Sequence, residues 1–415
     1  MGILQFLILI VQCVVVALAV TTGFAYLTWF ERRVLARLQN RVGPNRAGPA
    51  GLLQPIADAI KLFFKEDFTP VAADKRVYLL APALAMVPAI IIWAVIPLGC
   101  WNIAGSYEAC FVANPGDNLS NFFQIADTNV GVLYLLAVTS IGVYGITLAG
   151  WSSNNKYSML GGIRSSAQLI SYELALGLAV LSAVMWAGTF SMREIVYFQG
   201  GLWAILPQFL AWIVFMISAT AEVVRAPFDL VEAEQELAGG YNVEYGSMKF
   251  ALFFMAEYIK LIAVSAIAVT LFFGGWRFPG LLTLGGIIEE ATGTGLATFL
   301  IGILSVLSFL GKVALFLFMS VWIRASWPRI RYDKLMDLGW KWLLPLGLAN
   351  VVVTAIVIVI VPGDSRWVEG VLLFVLGLGM LYGVSRLGGP AIPTSPVDFA
   401  RFEPPAVSQS ESKSV

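Results

Sequence analysis

Histidine is absent from the 415 residues. That excludes chemistry built on an imidazole: zinc–histidine sites, histidine-ligated haem, and serine–histidine or cysteine–histidine nucleophile pairs. Cysteine is scarce, and Cys13, Cys100 and Cys110 are too few for a four-thiolate iron–sulfur cluster. Charge is scarce too. Only 13% of residues are charged, 26 basic and 26 acidic, against about a quarter in a soluble domain. An ordinary soluble enzyme is therefore excluded, and any electrons involved travel on groups held elsewhere. What fills the chain is apolar: 59% hydrophobic, gathered in long runs, so that lipid is the solvent for most of it.

A membrane-spanning helix needs about 20 mostly apolar residues, because hydrocarbon offers free backbone groups no hydrogen-bond partner. Nine windows qualify, at 3–30, 77–98, 130–151, 167–190, 202–224, 250–273, 296–323, 342–361 and 367–385. The first is too long, and lacks the basic lead, for a cleaved signal peptide, so it is read as a retained helix. The expectation is an all-α polytopic membrane protein with no long-period repeat. It comprises one core over residues 1–361, a further helix in 362–385 and a Pro- and Ser-rich tail, 386–415, expected to be disordered. Loops 1, 3, 5 and 7 and the tail together carry 21 Lys and Arg residues, whereas loops 2, 4, 6 and 8 carry 3. That excess places the odd loops in the cytoplasm, the N-terminus outside and the C-terminus inside. Cys100 and Cys110 then share outer loop 2, either as a disulfide or as two free thiols.

Loop 1 carries a basic run from Glu31 to Arg46, with a turn signal at Gly43-Pro44-Asn45. The stretch 51–65 puts Leu52, Ile56, Ile60 and Phe63 on one face, the pattern of an amphipathic helix at the membrane surface. Attraction to lipid headgroups, at about 1 kcal/mol per basic residue, is a sufficient bland reason for the arginines. Loop 5 is harder to explain that way. From Glu222 to Glu244 it holds six acids (Glu222, Asp229, Glu232, Glu234, Glu236 and Glu244) and one base, Arg225. A solvated acidic loop is one reading. The interleaved Phe228, Leu230, Val231, Leu237 and Tyr241 favour another, in which crowded carboxylates line a partly buried pocket and exchange protons. Inside the windows lie Glu173, Glu222, Glu257, Lys260 and Lys312. Charges at membrane depth are costly and usually mark ion or proton paths. Glu257 and Lys260, three residues apart, are placed to pair with each other. Loop 7, Arg324 to Lys334, is again basic with aromatics.

Four blocks now stand together: Glu31 to Leu62; Ser171-Tyr172-Glu173; Ala221 to Tyr258 with its loop-5 acids; and Trp327-Pro328-Arg329-Ile330-Arg331-Tyr332-Asp333. With them the chain resembles the family of the H subunit of bacterial NADH-quinone oxidoreductase (respiratory complex I), whose mitochondrial counterpart is NADH dehydrogenase subunit 1. The resemblance covers residues 1–360 and implies an eight-helix core between the membrane arm and the peripheral arm. It implies that Arg32, Arg33, Arg41, Asp58 and Phe228 line or shape a quinone channel. It also implies that Glu173, Glu222, Asp229, Glu232, Glu234, Glu236, Glu244 and Glu257 form an acidic proton-coupling chain, with Arg225 placed to pair with loop-5 acids; Lys260 and Lys312 join the expected coupling set as charges inside the windows. Quinone would be the substrate, no cofactor would be bound by this chain, and FMN and iron–sulfur clusters would sit in partner subunits of the complex. Nucleic acid is not an expected partner; the bilayer is. The implied location is the bacterial cytoplasmic membrane. The ninth helix and the tail depart from the eight-helix core. Rival readings are the equivalent subunit of an energy-converting hydrogenase, a secondary transporter, and a structural anchor; the last gains nothing from the cost of intramembrane charges.

Overall fold

The computed structural model describes residues 3–100, 123–229, 240–292, 294–361 and 366–387. All regular structure among them is helical. Helix α1 (Ile3–Leu38) is followed by the short α2 (Gln54–Phe64), α3 (Lys75–Ile91), α4 (Gly131–Ser152), α5 (Lys156–Ala187) and α6 (Met192–Phe198). Then come α7 (Phe209–Glu222), α8 (Ser247–Phe272), α9 (Leu281–Thr292), α10 (Thr294–Ser326), α11 (Tyr332–Asp337), α12 (Leu344–Ile360) and α13 (Arg366–Leu387). A π-helical turn, Leu338–Leu343, joins α11 to α12.

Eight of the nine expected spans are long and apolar enough to cross a membrane, and the chain is a multi-pass membrane protein. The exception is the window 202–224, of which only 14 residues form α7. That helix rises about 21 Å, short of the roughly 30 Å hydrocarbon core. The preceding residues turn instead, and non-helical backbone is tolerated at that depth only where protein satisfies it. Gln199, almost wholly buried, does so. Its Nε2 donates to the carbonyls of Thr270 (3.0 Å) and Leu271 (3.1 Å), and its Oε1 accepts from the amides of Ala204 (3.2 Å) and Gly274 (3.0 Å). Gln208, fully buried, donates to Thr354 Oγ1 (3.2 Å) and accepts from Asn350 Nδ2 (3.1 Å), tying the start of α7 to α12.

Helices α3, α4, α5, α7 and α8 form the centre; α1 and α10 flank α8, and α12 and α13 flank α5 and α7. Lipid gives apolar helices no reason to seek each other, so close backbone approach has to hold them. At Gly145 of α4 an added Cβ would lie 2.6 Å from the amide nitrogen of Ala85, and at Gly150 it would lie 2.9 Å from Cα of Gly162. The ninth span, α13, packs in the same manner, with Gly370 against Leu202 and Gly377 against Leu210. The amphipathic helix of loop 1 is present as α2, with no buried residue. Residues 388–415 of the expected tail, and Cys110, lie outside the described residues. Cys100 is disulfide-bonded, and Cys13 is a free, exposed thiol.

Candidate functional site

Loop 5 leaves α7 through Arg225 and a cis Ala226–Pro227 peptide. Between Glu222 and Arg225, the β-branched Val224 takes φ +58°, a conformation that costs about 1–3 kcal/mol and persists only where the surroundings impose it. The surroundings here are specific. Gln168 of α5, buried to 1% exposure, donates from Nε2 to the carbonyls of Ala221 (2.9 Å) and Phe228 (3.0 Å) and so clamps both ends of the turn. The Ile330 amide donates to the carbonyl of Pro227 (3.0 Å), and Arg329 pairs with Asp229 at 3.2 Å.

Within this frame Arg225 is the hub of a buried ion cluster. Its Nε lies 2.6 Å from Glu257, its Nη1 lies 3.4 Å from Glu31, and its guanidinium sits 4.0 Å over the Tyr258 ring. Arg324 also pairs with Glu31. Burial opposes the charge on Arg225, but Glu257, Tyr258 and Glu31 outweigh it and hold the guanidinium pKa above its ordinary value. One turn further along α8, Lys260 Nζ meets Glu222 at 2.8 Å. Glu222, Glu257 and Lys260 share a cavity of about 60 Å³ with Pro88 of α3 and Tyr241. That is room for several waters. Glu173 accepts from Ser140 Oγ, makes no ion pair among the described residues, and lies within electrostatic reach of Glu222 and Lys260.

The far end of loop 5 is anchored as well. Tyr245 stacks on Tyr78 at 4.1 Å, and burial pushes the Tyr245 hydroxyl up to about 12, so it stays protonated. Tyr78 donates to the Glu244 carbonyl (2.6 Å), and Asn155, which also caps α5, donates to the Glu244 carboxylate (2.6 Å). On the other side of α8, a groove of about 640 Å³ opens between α1, α2 and α8. Its walls include Phe24, Phe63, Phe254 and Met255, and its charged lining residues are Arg32, Asp58 and Lys61. Arg32 pairs with Asp58 at 2.6 Å, joining α1 to α2. Three rings, Phe24, Phe254 and Tyr258, with centroids 4.7 to 6.3 Å apart, stand between the groove and the ion cluster.

Residues 11–355 match the family described as NADH dehydrogenase. The chain belongs to that family. It is 48% identical over 357 residues to the H 1 subunit of NADH-quinone oxidoreductase from Geobacter sulfurreducens, covering 86% of this chain and 96% of that protein. It is 49% identical over 383 residues to the H subunit from Deinococcus deserti, covering 92% and 91%. Against the H subunit from Rhodospirillum rubrum the identity is 45% over 350 residues, covering 84% and 93%. The relatives are thus components of an enzyme complex, an NADH-quinone oxidoreductase.

In this member of the NADH dehydrogenase family the residues expected at the quinone channel divide. Arg32 and Asp58 line the groove. Arg33 lies over Trp29 at 5.2 Å, Arg41 is exposed and bonded to Gln39, and Phe228 is buried against Tyr172. Of the coupling set, Glu173, Glu222, Arg225, Glu257 and Lys260 come together, and Asp229 and Glu244 anchor the two ends of loop 5. Glu232, Glu234 and Glu236 lie outside the described residues. Glu257 and Lys260 do not form the local pair that their spacing suggests; each crosses instead to the α7 end of loop 5. Lys312 stands apart. Its Nζ donates to the carbonyls of Phe273 (2.8 Å), Gly275 (2.9 Å) and Arg277 (2.5 Å), capping the end of α8. Lys312→Met is expected to destabilise the purified complex by about 1–3 kcal/mol per carbonyl left unsatisfied, with the proton-to-electron ratio unchanged. Normal thermal stability with a lowered ratio would put Lys312 on the proton path instead. Glu31, Arg324, Gln168 and Ser140 were not in the expected set. Gln168 carries no charge, and its only sequence signal is an amide inside an apolar window.

Proposed function

We propose that this chain forms part of a quinone-binding chamber and couples quinone reduction to proton translocation through its buried carboxylates. The juxtaposition of groove and cluster carries this reading: both are built on α1 and α8, with three aromatic rings between them. A mostly apolar groove of this size suits the isoprenoid tail of a quinone, and Arg32 and Asp58 offer polar partners to its head. Reduction to quinol takes up two electrons and two protons. The electrons come from iron–sulfur clusters, fed by FMN, in partner subunits of the peripheral arm. This chain's residues bind the quinone, keep out water and hold protons. A change of charge in the groove acts through Tyr258 on the Arg225 cluster, then on Glu222 and Lys260, and so on Glu173, where a proton can be held without breaking an ion pair. Neighbouring membrane-arm subunits receive that signal.

The orientation follows the same reading. The cytoplasmic membrane of a bacterium has an oxidising outer side, and disulfide-bonded Cys100, in the segment that follows α3, agrees with the placement of loop 2 there by Lys and Arg counting. A cysteine introduced in loop 2 by Asn118→Cys should react with a membrane-impermeant thiol reagent from outside only; labelling from the inner side would invert the topology.

Ala251→Trp, in the groove wall, tests the chamber. The quinone KM is expected to rise about tenfold, the loss of roughly 1.4 kcal/mol of binding. NADH oxidation by a hydrophilic acceptor should stay unchanged. A photoreactive quinone should label α1 and α8 of the parent complex. An unchanged KM with labelling confined to other subunits would sink the reading.

A further inference from the structure

Glu222 faces two cavities that differ in kind. One is the chamber of about 60 Å³ that it shares with Glu257 and Lys260. The other is a seam of about 10 Å³ on the far side of the carboxylate, between α4, α5, α7 and α8. Thr139 stands beside Glu222 at its near end, and Leu176, Val180 and Phe215 line it. Met192, at the start of α6, and Leu271, at the end of α8, close it at the bundle end opposite loop 5. These apolar residues are almost wholly buried. The chamber can hold a chain of waters, whereas the seam has room for about one. Phe215 lies on the same face of α7 as Glu222, two turns and about 10 Å away. Between them Ser218 is fully buried, and its Oγ has no hydrogen-bond partner.

We infer that Phe215 and its neighbours form a dry seal that insulates Glu222 from the far side of the membrane. The inference rests on the reading that Glu222 carries protons. A proton crosses such a distance only along continuous hydrogen bonds, and beyond Glu222 the bare hydroxyl of Ser218 is followed by hydrocarbon alone. Sealing matters because Glu222 is reached from the loop-5 side through a wet chamber; an equally wet seam would join the two sides and dissipate the gradient. The seal therefore makes Phe215 a residue that sets coupling rather than one that touches quinone or carries protons. An enlarged apolar void can stay dry, so a test needs polar replacements that give incoming water partners next to Ser218 and Thr139.

The experiment is passive proton conductance of proteoliposomes containing the whole complex, without NADH. Phe215→Ser combined with Met192→Ser is expected to raise conductance several-fold. Phe215→Leu, which keeps the seam apolar, should leave it at the parent level, as should Phe209→Ser on α7 outside the seam. Adding Glu222→Gln to the leaking pair should return conductance to the parent value. If loss of Phe215 prevents assembly, Val132→Thr with Val180→Thr keeps side-chain shape, adds hydroxyls to the same seam, and should leak likewise. Parent-level conductance in assembled seam variants would overturn the seal, as would an equal leak in Phe209→Ser or a leak indifferent to Glu222→Gln. Glu222→Gln alone, measured during turnover, reports separately on whether Glu222 carries protons at all.

Discussion

Glu222→Gln is expected to lower quinone reduction and proton pumping together by roughly two orders of magnitude, at the lower end of what a positioned proton-transfer group contributes. The side chain lines both the chamber of about 60 Å³ and the seam of about 10 Å³, 2.8 Å from Lys260 Nζ. Glutamine keeps the shape and an oxygen for the lysine to bond, yet it can neither take nor release a proton. The change also leaves the Lys260 charge without a counter-charge, and breaking a buried pair on one side costs about 3–5 kcal/mol when nothing replaces the partner. Catalytic and structural effects must therefore be separated. Glu222→Gln with Lys260→Met removes both charges and should recover stability while pumping stays lost. Proton-to-electron ratios in membrane vesicles, set beside thermal denaturation of the purified complex, decide the matter. Restored pumping in the double variant would show that the carboxylate serves the fold alone.

For Arg225→Met the expected result is collapse of the loop-5 base and little assembled complex, a loss of about 3–5 kcal/mol. The guanidinium reaches Glu257 and Glu31 at once and sits 4.0 Å over the Tyr258 ring, so its removal strands two carboxylates that Arg324, paired with Glu31, only partly offsets. Lysine should not rescue it, because a point charge on a flexible stem cannot span both acids and cover the ring. Glu257→Gln added to Arg225→Met should recover part of the loss, since the unpaired carboxylate is the costly element. The sign with pH follows from the raised guanidinium pKa. Stability contributed by a group with a raised pKa is fully present below its unfolded-state pKa and is lost only above it. For arginine that limit lies beyond the working range, so the guanidinium itself adds no pH dependence there. Wild-type yield and melting in Arg225→Met would refute the hub.

Much of the fold was legible because hydrocarbon imposes a simple rule. Eight of the nine apolar windows became helices long enough to span, and the amphipathic face of 51–65 became α2. The window 202–224 read as an ordinary span because its composition is apolar throughout. Its break depends on Gln199 and Gln208 finding partners in α8 and α12, sequence-distant residues that no local pattern names. The site was legible as a set of charged residues but not as an arrangement. The i,i+3 spacing of Glu257 and Lys260 suggested a local pair; both reach instead for the strained turn after α7. Lys312 looked like one more intramembrane charge, and its three carbonyl partners at the end of α8 could not be read from its own stretch of sequence.

The sequence by itself determined what kind of protein this is. Missing histidine, few cysteines and long apolar runs excluded the alternatives, and the unequal distribution of Lys and Arg set an expected orientation, because each depends on composition along one chain and its solvent. Only the tertiary structure decided which charge answers which. In a low-dielectric interior a few ångströms separate a stable pair from a costly orphan. Those distances are set by where α1, α5, α8 and α10 meet around loop 5, with Gln168 holding its turn closed.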